Sequence, residues 1–457
     1  MFMTRNPSSR DTHAVGRPRG ARTSAKAMGA LVTGLAALGW GAPVAFAATT
    51  SSPSTEPLIQ AGDIVYLGAF ALPSWANGVP PYGTSYFEYG GKGLIPYNDP
   101  TTGKHTLYME GHQQNPGQVA QVEVPANLVK STTWSALPMA NIVHNFVNVP
   151  SNPDPASCVG NPAFIYGMLP YNGRLIVSAA CSYGGAQTTS HGVRSLDLSS
   201  TAWQGFYGFA SNVVAPPRAL GGPMGVIPPE WQSSFGGPAM TGNFGISVTG
   251  STSAGPSLTV FNPDDVASKN PIPGATVLFY PLQNSACGNY DCMSLQNNVY
   301  NLTTTYGGFA FPAGSRSVLI VTSTGVGCYW YGGWDQPSIG GCSANDPALS
   351  DVKGPHAPPY QYQILAYDAN DLIAVKNGTK QTYAPKPYAV IVLNGMPNSN
   401  DDRIQGAGYD PDTRRLYIAQ DYTDQPRIEV YQINGASGTS APPPPSPPDP
   451  PTGVTVQ

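Results

Sequence analysis

The chain has 457 residues, of which 41% are hydrophobic and only 11% are charged, and its formal net charge is −4. It contains 52 glycines and 48 prolines, which disrupt helices, whereas its Thr, Tyr and Val residues favour strands, so the composition favours an all-β protein. The acidic balance argues against nucleic acid or an anionic membrane as the main partner.

The first 47 residues have the organisation of a secretory signal peptide. Basic residues from Arg5 to Lys26 precede an apolar run, Ala27 to Val44, and Ala45-Phe46-Ala47 provides a small-residue cleavage pattern. Without this segment 16 basic and 25 acidic residues remain, a net charge near −9. We therefore predict a protein that is secreted, periplasmic or at the cell surface, with an N-terminal membrane anchor as the alternative. No later stretch is long and apolar enough to span a membrane.

Strand patterns begin after a predicted flexible spacer, residues 48–59. Asp63 to Leu72 is predicted to be a lone strand without a neighbouring hairpin partner. A three-strand unit follows, with a tight turn at Asn98-Asp99-Pro100; its strands are Gly93 to Tyr97, Leu107 to Met109 and Val119 to Val124. The stretch from Gln405 to Ile433 repeats this layout around the turn Asp410-Pro411-Asp412-Thr413.

Three more units fit the same template between these two. The first begins with Met168 to Tyr171 and the last with Gly307 to Phe311, and between them Phe244 to Val248 is followed by Leu258 to Phe261 with the same twelve-residue spacing. Further strands between the units can serve as outer fourth strands; they are Ile142 to Val149, Gly205 to Phe209, Thr276 to Tyr280 and Tyr388 to Leu393. About five (five to seven) four-stranded units over residues 60–434 resemble the β-propeller superfamily, in architecture rather than in any family motif. The lone strand would then complete the last unit and remove its open edge. A pair of β-sandwiches or a β-helix is the alternative.

Residues 435–457 form a proline-rich tail that we predict to be disordered. Its closing letters, PPTGVTVQ, are similar to the first strand of a fibronectin type III domain, although a linker or wall spacer is the simpler interpretation.

The topology of such units divides the loops between two faces. The second-to-third loops and the connections between units share one face, which we call the loop face; the tight first-to-second turns lie on the other, the turn face. The longer loops fall on the loop face, where function concentrates in repeat folds. All six cysteines lie there too, and we predict the disulfides Cys158–Cys181, Cys287–Cys292 and Cys328–Cys342, with a zinc site as the weaker alternative.

The longest loop is rich in aromatic residues. Tyr329, Trp330, Tyr331 and Trp334 lie between Cys328 and Cys342, where a disulfide would hold flat rings ready to stack on sugars. The alternative is that these rings plug the loop or cover the central channel. Asp421 and Asp424, in the corresponding loop of the last unit, are further ligand-binding candidates.

Candidates for catalysis are few. His112 and His191 occur in loops of neighbouring units, and with Tyr183 as acid and Arg194 as carboxylate partner they could abstract a proton next to a uronate carboxyl group. These residue types are similar to those of propeller polysaccharide lyases; the alternative is that each histidine is hydrogen-bonded to backbone. A glycosidase would instead need two facing carboxylates, and Glu110, Asp335, Asp421 and Asp424 lie on the loop face.

No serine-esterase, zinc-protease, nucleotide-binding or EF-hand motif is present, so we predict no cofactor and no metal. The leading hypothesis is a monomeric, exported carbohydrate-binding or polysaccharide-degrading protein whose partner is a polysaccharide or cell-surface glycan. The alternative is a non-catalytic propeller that serves as a scaffold for adhesion or protein interaction.

Overall fold

Five four-stranded antiparallel sheets form the protein. The computed structural model describes residues 52–75, 82–150, 158, 163–181, 187–245, 253–281, 299–328, 330–331, 355–397, 403–420 and 424–435. The predicted signal peptide and most of the proline-rich tail lie outside these residues. We number the sheets as blades one to five in chain order.

The first described strand, β1, spans Ile64–Ala71, and blades one to three follow it along the chain. Blade one consists of β2 (Ile95–Asn98), β3 (His105–Glu110), β4 (Gln118–Glu123) and β5 (Asn141–Asn148). Blade two consists of β6 (Ala163–Tyr171), β7 (Arg174–Cys181), β8 (His191–Ser195) and β9 (Trp203–Tyr207). Blade three consists of β10 (Met224–Val226), β11 (Ala239–Gly242), β12 (Leu258–Phe261) and β13 (Gly274–Leu278).

Blades four and five complete the set. Blade four consists of β14 (Thr305–Ala310), β15 (Ser317–Gly325), β18 (Tyr360–Asp368) and β19 (Ala389–Val392), and its loop carries the short pair β16 (Trp330–Tyr331) and β17 (Pro355–His356). Blade five consists of β20 (Ile404–Asp410), β21 (Arg415–Gln420) and β22 (Arg427–Ile433). Its fourth strand is β1, which pairs with β22 from Ile64↔Ile433 to Ala71↔Arg427.

Apolar side chains fill every interface between neighbouring blades. Five separate clusters of buried residues join blades one and two, two and three, three and four, four and five, and five and one. Because the last of these includes Phe70 and Ile428 on one side and Leu107 and Met109 on the other, the ring closes. The predicted propeller of about five blades, closed by the N-terminal strand, is confirmed, and the sandwich and β-helix alternatives are excluded.

Glycines let the innermost strands approach the axis closely. A Cβ atom on Gly406 would overlap the carbonyl oxygen of Gly91 in the neighbouring blade, and one on Gly308 would overlap that of Ala407. A ring of only five blades brings the inner strands together more tightly than any larger side chain allows. These backbone contacts therefore define how blade five meets its two neighbours.

Blade three differs from the prediction. Phe244 to Val248 is the strand predicted to precede Leu258 to Phe261, but the strand that pairs with β12 is β11, with β10 before it; only residues 244 and 245 of the predicted segment are described. The template placed this strand by its spacing to Leu258, and that spacing put it several residues later in the chain than β11. The outer strand of this blade, predicted at Thr276 to Tyr280, is β13.

Two short α-helices, which the sequence patterns did not indicate, pack beside blades three and four. Helix α1 spans Pro229–Phe235 and helix α2 spans Ala369–Lys376. Helix α2 begins after Asp368, whose side chain accepts a hydrogen bond from the Asn370 backbone N–H. Each has about two turns, too few for a recognisable apolar periodicity. Among the described residues, no helix has the length and apolarity to cross a membrane.

Part of the predicted flexible spacer is ordered against the propeller. Residues Pro53–Thr55 form a 3₁₀ turn, and Ile59 is fully buried against blades four and five. The Ile59 backbone N–H donates a 2.8 Å hydrogen bond to Ser317 Oγ. This segment leads directly into β1 and helps to hold the closing strand in place.

Candidate functional site

The loop face brings together segments from opposite ends of the sequence. Residues 72–75, which follow β1, lie at the loop-face end of this strand and meet residues 424–426, the end of the β21–β22 loop. The Leu72 N–H donates a 2.9 Å hydrogen bond to the Pro426 carbonyl, and Ser74 Oγ lies 3.3 Å from the Asp424 carbonyl oxygen. His112, which directly follows the end of β3, lies in the same region.

His112 is held as a neutral imidazole. Its backbone N–H donates to the Tyr86 carbonyl at 2.9 Å, and its Nδ1 accepts a 3.0 Å hydrogen bond from the Gln114 N–H. Burial and the nearby charge of Lys92 lower the pKa of His112 below its ordinary value. With Nδ1 occupied as an acceptor, the proton of the neutral ring belongs on Nε2.

Three aromatic rings surround this histidine. Trp75 lies roughly parallel to it with ring centroids 6.1 Å apart, and Tyr86 and Tyr89 meet it edge-on at 6.2 and 5.4 Å. Trp75 and Tyr86 also pack edge-to-face at 5.3 Å. His112 is only 8% exposed, whereas Trp75 is 43% exposed. The rings thus shield the histidine and leave the Trp75 surface open to solvent.

Two acidic side chains complete the group. The Tyr89 hydroxyl donates a 2.6 Å hydrogen bond to Asp424 Oδ1. Glu88 is fully buried; one of its oxygens accepts the Trp75 backbone N–H, and the other, Oε2, has no hydrogen-bond partner within the described part of the chain. Burial, with a smaller contribution from the charge of Asp424, raises the pKa of Glu88. We call this set the blade-one cluster: Trp75, Tyr86, Glu88, Tyr89, His112 and Asp424.

His191 lies elsewhere, inside the protein. It is the first residue of β8 rather than a loop residue, and it is fully buried. Its ring contacts Phe209 and Phe261 edge-on at 5.0 and 5.3 Å, and its Nδ1 lies 2.9 Å from Ser190 Oγ. Burial lowers the pKa of His191 to about 3. The structure therefore does not bring His112 and His191 together.

The side chain of Arg194 also has a structural role. Its guanidinium donates to four backbone carbonyls, those of Asn148, Val149, Leu198 and Ser200. It is only 4% exposed, so it ties the end of blade one to blade two rather than presenting charge to a ligand. Tyr183, the predicted acid, lies outside the described residues.

Glu110, considered for a glycosidase pair, joins blades one and two. Its Oε1 accepts hydrogen bonds from the N–H groups of Gly117 and Ile165, at 2.8 and 3.0 Å. Burial raises the pKa of Glu110 to about 7, although the charge of Lys92 opposes this shift. Asp335 and Asp421 lie outside the described residues, so of the predicted acids only Asp424 belongs to the blade-one cluster.

One of the three predicted disulfides lies within the described residues. Cys158 and Cys181 are bonded, with their Cα atoms 5.3 Å apart, which confirms this pairing. Cys328 is also disulfide-bonded, whereas Cys287, Cys292 and Cys342 lie outside the described residues. Of the aromatic loop, Trp330 and Tyr331 form β16, paired with β17, while Tyr329 and Trp334 lie outside.

Sequence reasoning missed four members of the blade-one cluster: Trp75, Tyr86, Glu88 and Tyr89. They lie between the lone strand and the first unit, a segment to which no strand was assigned. The sequence did contain a signal for this segment. The chain leaves a fourth strand on the loop face, and the letters YFEYGGK that follow are rich in aromatic residues. Topology and composition together would have indicated this segment.

The turn face carries a cavity of about 380 Å³ around the axis. Three of its polar lining residues are hydrogen-bonded to one another: Asn98 Nδ2 donates to Asp410 Oδ1 at 3.1 Å and to Asp412 Oδ2 at 2.8 Å. These bonds tie together the turns of blades one and five. No group of three or more metal-ligating side chains occurs anywhere in the described ranges.

Comparison with known proteins finds similarity in fold only. No protein-family model matches the chain, and no curated protein does. The chain is similar to a glycosyl hydrolase from Bacteroides ovatus, with 12% identity, coverage of 85% of this chain and 99% of that one, and a TM-score of 0.39. It is similar to MPT-4, a mannose phosphorylase from Leishmania mexicana, with 9% identity, 80% and 88% coverage and a TM-score of 0.36.

A member of the DUF4221 family from Bacteroides vulgatus is a third similar structure, with 10% identity, 84% and 100% coverage and a TM-score of 0.33. Because these identities and TM-scores are low, the fold assignment rests on the strand topology of this chain and on the apolar clusters that close its ring of blades. By that topology the chain is a five-bladed β-propeller.

Proposed function

We propose that the loop face of this propeller binds a polysaccharide at the blade-one cluster, and that the protein is exported to do so. The observation that carries the proposal is the open ring of Trp75, 43% exposed, beside hydrogen-bonding groups that are already held in place. Flat aromatic surface next to fixed polar groups suits a sugar, which has apolar C–H faces and a hydroxyl rim. The Cys158–Cys181 disulfide and the N-terminal signal pattern support export.

The polar groups of the cluster complement hydroxyls. Neutral His112 carries its proton on Nε2, an atom that is not among the fully buried, unpartnered polar atoms of the described residues, and so offers a donor. Asp424 is exposed and accepts a hydrogen bond from Tyr89, which fixes the carboxylate beside the rings. Because these side chains are ordered before any ligand arrives, binding loses little side-chain entropy.

Binding is better supported than catalysis. Glu88, whose raised pKa suits a general acid, is fully buried, so a substrate cannot reach it in this conformation. The Nδ1 of His112 is engaged with the backbone, and the predicted His–His pair is not assembled. Among the described residues, the side chains predicted for a lyase or a hydrolase mechanism are not brought together.

Affinity gel electrophoresis through a panel of neutral and uronic-acid polysaccharides tests the proposal. The wild-type protein should be retarded by at least one polymer, and Trp75→Ala should weaken that retardation roughly tenfold, as expected for the loss of one stacked ring. Val390→Ala, at a 37% exposed position on the outer strand of blade four, provides the control. Absorbance at 235 nm and reducing-end assays on the same polymers test elimination and hydrolysis. A protein that no polysaccharide retards would contradict the proposal and favour a protein-interaction scaffold.

A further inference from the structure

Lys92 lies next to the blade-one cluster, in an unusual environment for a lysine. It is only 8% exposed, although lysines are rarely buried without an ionic partner. Its Nζ lies 4.9 Å from the centroid of the Phe164 ring, and within the described part of the chain it has neither a hydrogen-bond acceptor nor a carboxylate within ion-pair distance. The ammonium is also absent from the fully buried unpartnered atoms, so a small part of it remains accessible.

Backbone hydrogen bonds hold the Lys92 residue beside the end of β3. Glu110 N–H donates to the Lys92 carbonyl at 2.9 Å, and Gly91 N–H donates to the Glu110 carbonyl at 2.8 Å. Lys92 acts electrostatically on both His112 and Glu110. Glu110 Oε1 accepts two backbone N–H groups and its Oε2 has no hydrogen-bond partner among the described residues, yet neither oxygen lies within ion-pair distance of the Lys92 ammonium.

A row of aromatic rings leads from Lys92 to a second cation. Phe164 lies 6.0 Å from Tyr166, and Tyr166 stacks on Phe244 at 3.6 Å with an interplanar angle of 7°. The Arg218 guanidinium lies 5.0 Å above the Phe244 ring and donates to the Cys181 carbonyl, so the Cys158–Cys181 disulfide supports its position. All three rings are half-buried. Cations therefore stand at both ends of an aromatic surface on the loop face.

We propose that Lys92 binds the carboxylate of a uronic-acid residue, and thus that the polysaccharide bound at the blade-one cluster is an acidic one. This inference rests on the proposed glycan binding and specifies its chemical class. A carboxylate would give the Lys92 ammonium the acceptor that the protein does not provide, while the sugar ring lies over the adjacent aromatic surface. Because the chain as a whole is acidic, it does not attract polyanions in general. The local charge of Lys92 therefore favours a carboxylate at one position of the polysaccharide.

The test compares polygalacturonate with the same polymer after chemical reduction of its carboxyl groups, which leaves a neutral backbone of equal geometry. Dissociation constants are measured by affinity electrophoresis for the wild type and for Lys92→Met, which keeps an unbranched apolar stem over Phe164. Lys130→Met is the matched control, because Lys130 also lies over an aromatic ring, 5.9 Å from that of Tyr66, but beyond the end of β4, on the turn face. Lys92→Arg retains the charge.

We expect the wild type to bind polygalacturonate about tenfold more tightly than its reduced form, as one charge-assisted hydrogen bond would give. Lys92→Met should abolish this difference, whereas Lys92→Arg and Lys130→Met should largely keep it. Equal binding of both polymers by the wild type, or a preference that survives in Lys92→Met, would overturn the inference and leave glycan binding intact. Failure of the wild type to bind either polymer or any other glycan would instead contradict the proposed function itself. Thermal unfolding of each variant verifies that it is folded.

Discussion

The Tyr89 hydroxyl donates a 2.6 Å hydrogen bond to Asp424 Oδ1, joining two residues that lie 335 positions apart in sequence. The bond raises the pKa of Tyr89 and links the segment before blade one to the loop of blade five. It forms only because β1 completes the last blade and delivers the following segment to the loop face. Ring closure and the blade-one cluster are therefore two consequences of one topology.

Removing this hydroxyl should weaken glycan binding more than it weakens the fold. We expect Tyr89→Phe to bind roughly three- to tenfold less tightly, because Asp424 loses the donor that positions it, while the free energy of unfolding changes by about 1 kcal/mol or less. Affinity electrophoresis and urea unfolding measure the two quantities. Tyr388→Phe is the control, since it removes a hydroxyl that donates a 2.9 Å hydrogen bond to the Ile59 carbonyl, outside the blade-one cluster, and should leave glycan affinity unchanged. A Tyr89→Phe affinity equal to the wild-type value would contradict the assigned role.

A buried ionic group holds the closing strand. Glu429 is fully buried, pairs with Arg427 at 2.5 Å and accepts a 2.6 Å hydrogen bond from the Tyr66 hydroxyl of β1. Glu429→Ala should cost about 3–5 kcal/mol of unfolding free energy, because it leaves Arg427 buried without its partner. Glu123→Ala, in the exposed pair with Lys104, should cost about 1 kcal/mol or less. Similar losses in both variants would show that the Glu429 group contributes little to closure.

Glu110 should make stability depend on pH. Its folded-state pKa of about 7 exceeds the ordinary 4.5, so the folded protein binds the proton more tightly. Stability is therefore highest below the ordinary value and falls as pH rises through the interval between the two. The full effect is about 3 kcal/mol.

The measurement is urea unfolding from pH 4 to 8 for the wild type and Glu110→Gln, whose oxygen can still accept the two backbone N–H groups. The difference between the two curves isolates Glu110 from other groups that titrate in this range. Relative to the variant, the wild type should lose stability as pH rises. Parallel curves would mean that Glu110 ionises normally in the folded protein.

The Cys158–Cys181 disulfide should stabilise the loop between blades one and two. It closes a segment with a sequence separation of 23 residues, for which chain entropy gives about 3 kcal/mol. The double variant Cys158→Ser/Cys181→Ser should lose roughly that amount in denaturant unfolding. Because the Cys181 carbonyl accepts from Arg218, the double variant should also bind acidic glycan less tightly. Unchanged stability would show that the loop is ordered without the bond.

The fold could be predicted from the sequence because each blade repeats a local pattern. Asp410-Pro411 and Asp99-Pro100 mark equivalent turns, and the strands that follow them, β21 and β3, are buried along almost their whole length. The interfaces between blades need no specific sequence motif, because any apolar side chain of suitable size can fill them. The template did not find the first strand of blade three, because this strand has only three residues, Met224–Val226.

The site could be predicted only in part. The loop position of His112 followed from topology, whereas His191 was assigned to a loop because strand ends are hard to place from sequence. A shift of one residue in the strand boundary changes its environment. Because His191 is the first residue of β8, its ring contacts Phe209 and Phe261 instead of solvent. Trp75 and Tyr89 could not be joined to His112 by local pattern at all, because their meeting depends on closure of the ring.

Hydroxyl-radical footprinting tests the central claim most directly, that a glycan covers the blade-one cluster. Trp75 is 43% exposed on the loop face, and Val390, 37% exposed on the outer strand of blade four, serves as the internal control. With saturating polygalacturonate fragments, oxidation of Trp75 should fall several-fold while that of Val390 stays constant. Undiminished oxidation of Trp75 in a protein saturated with these fragments would contradict the account.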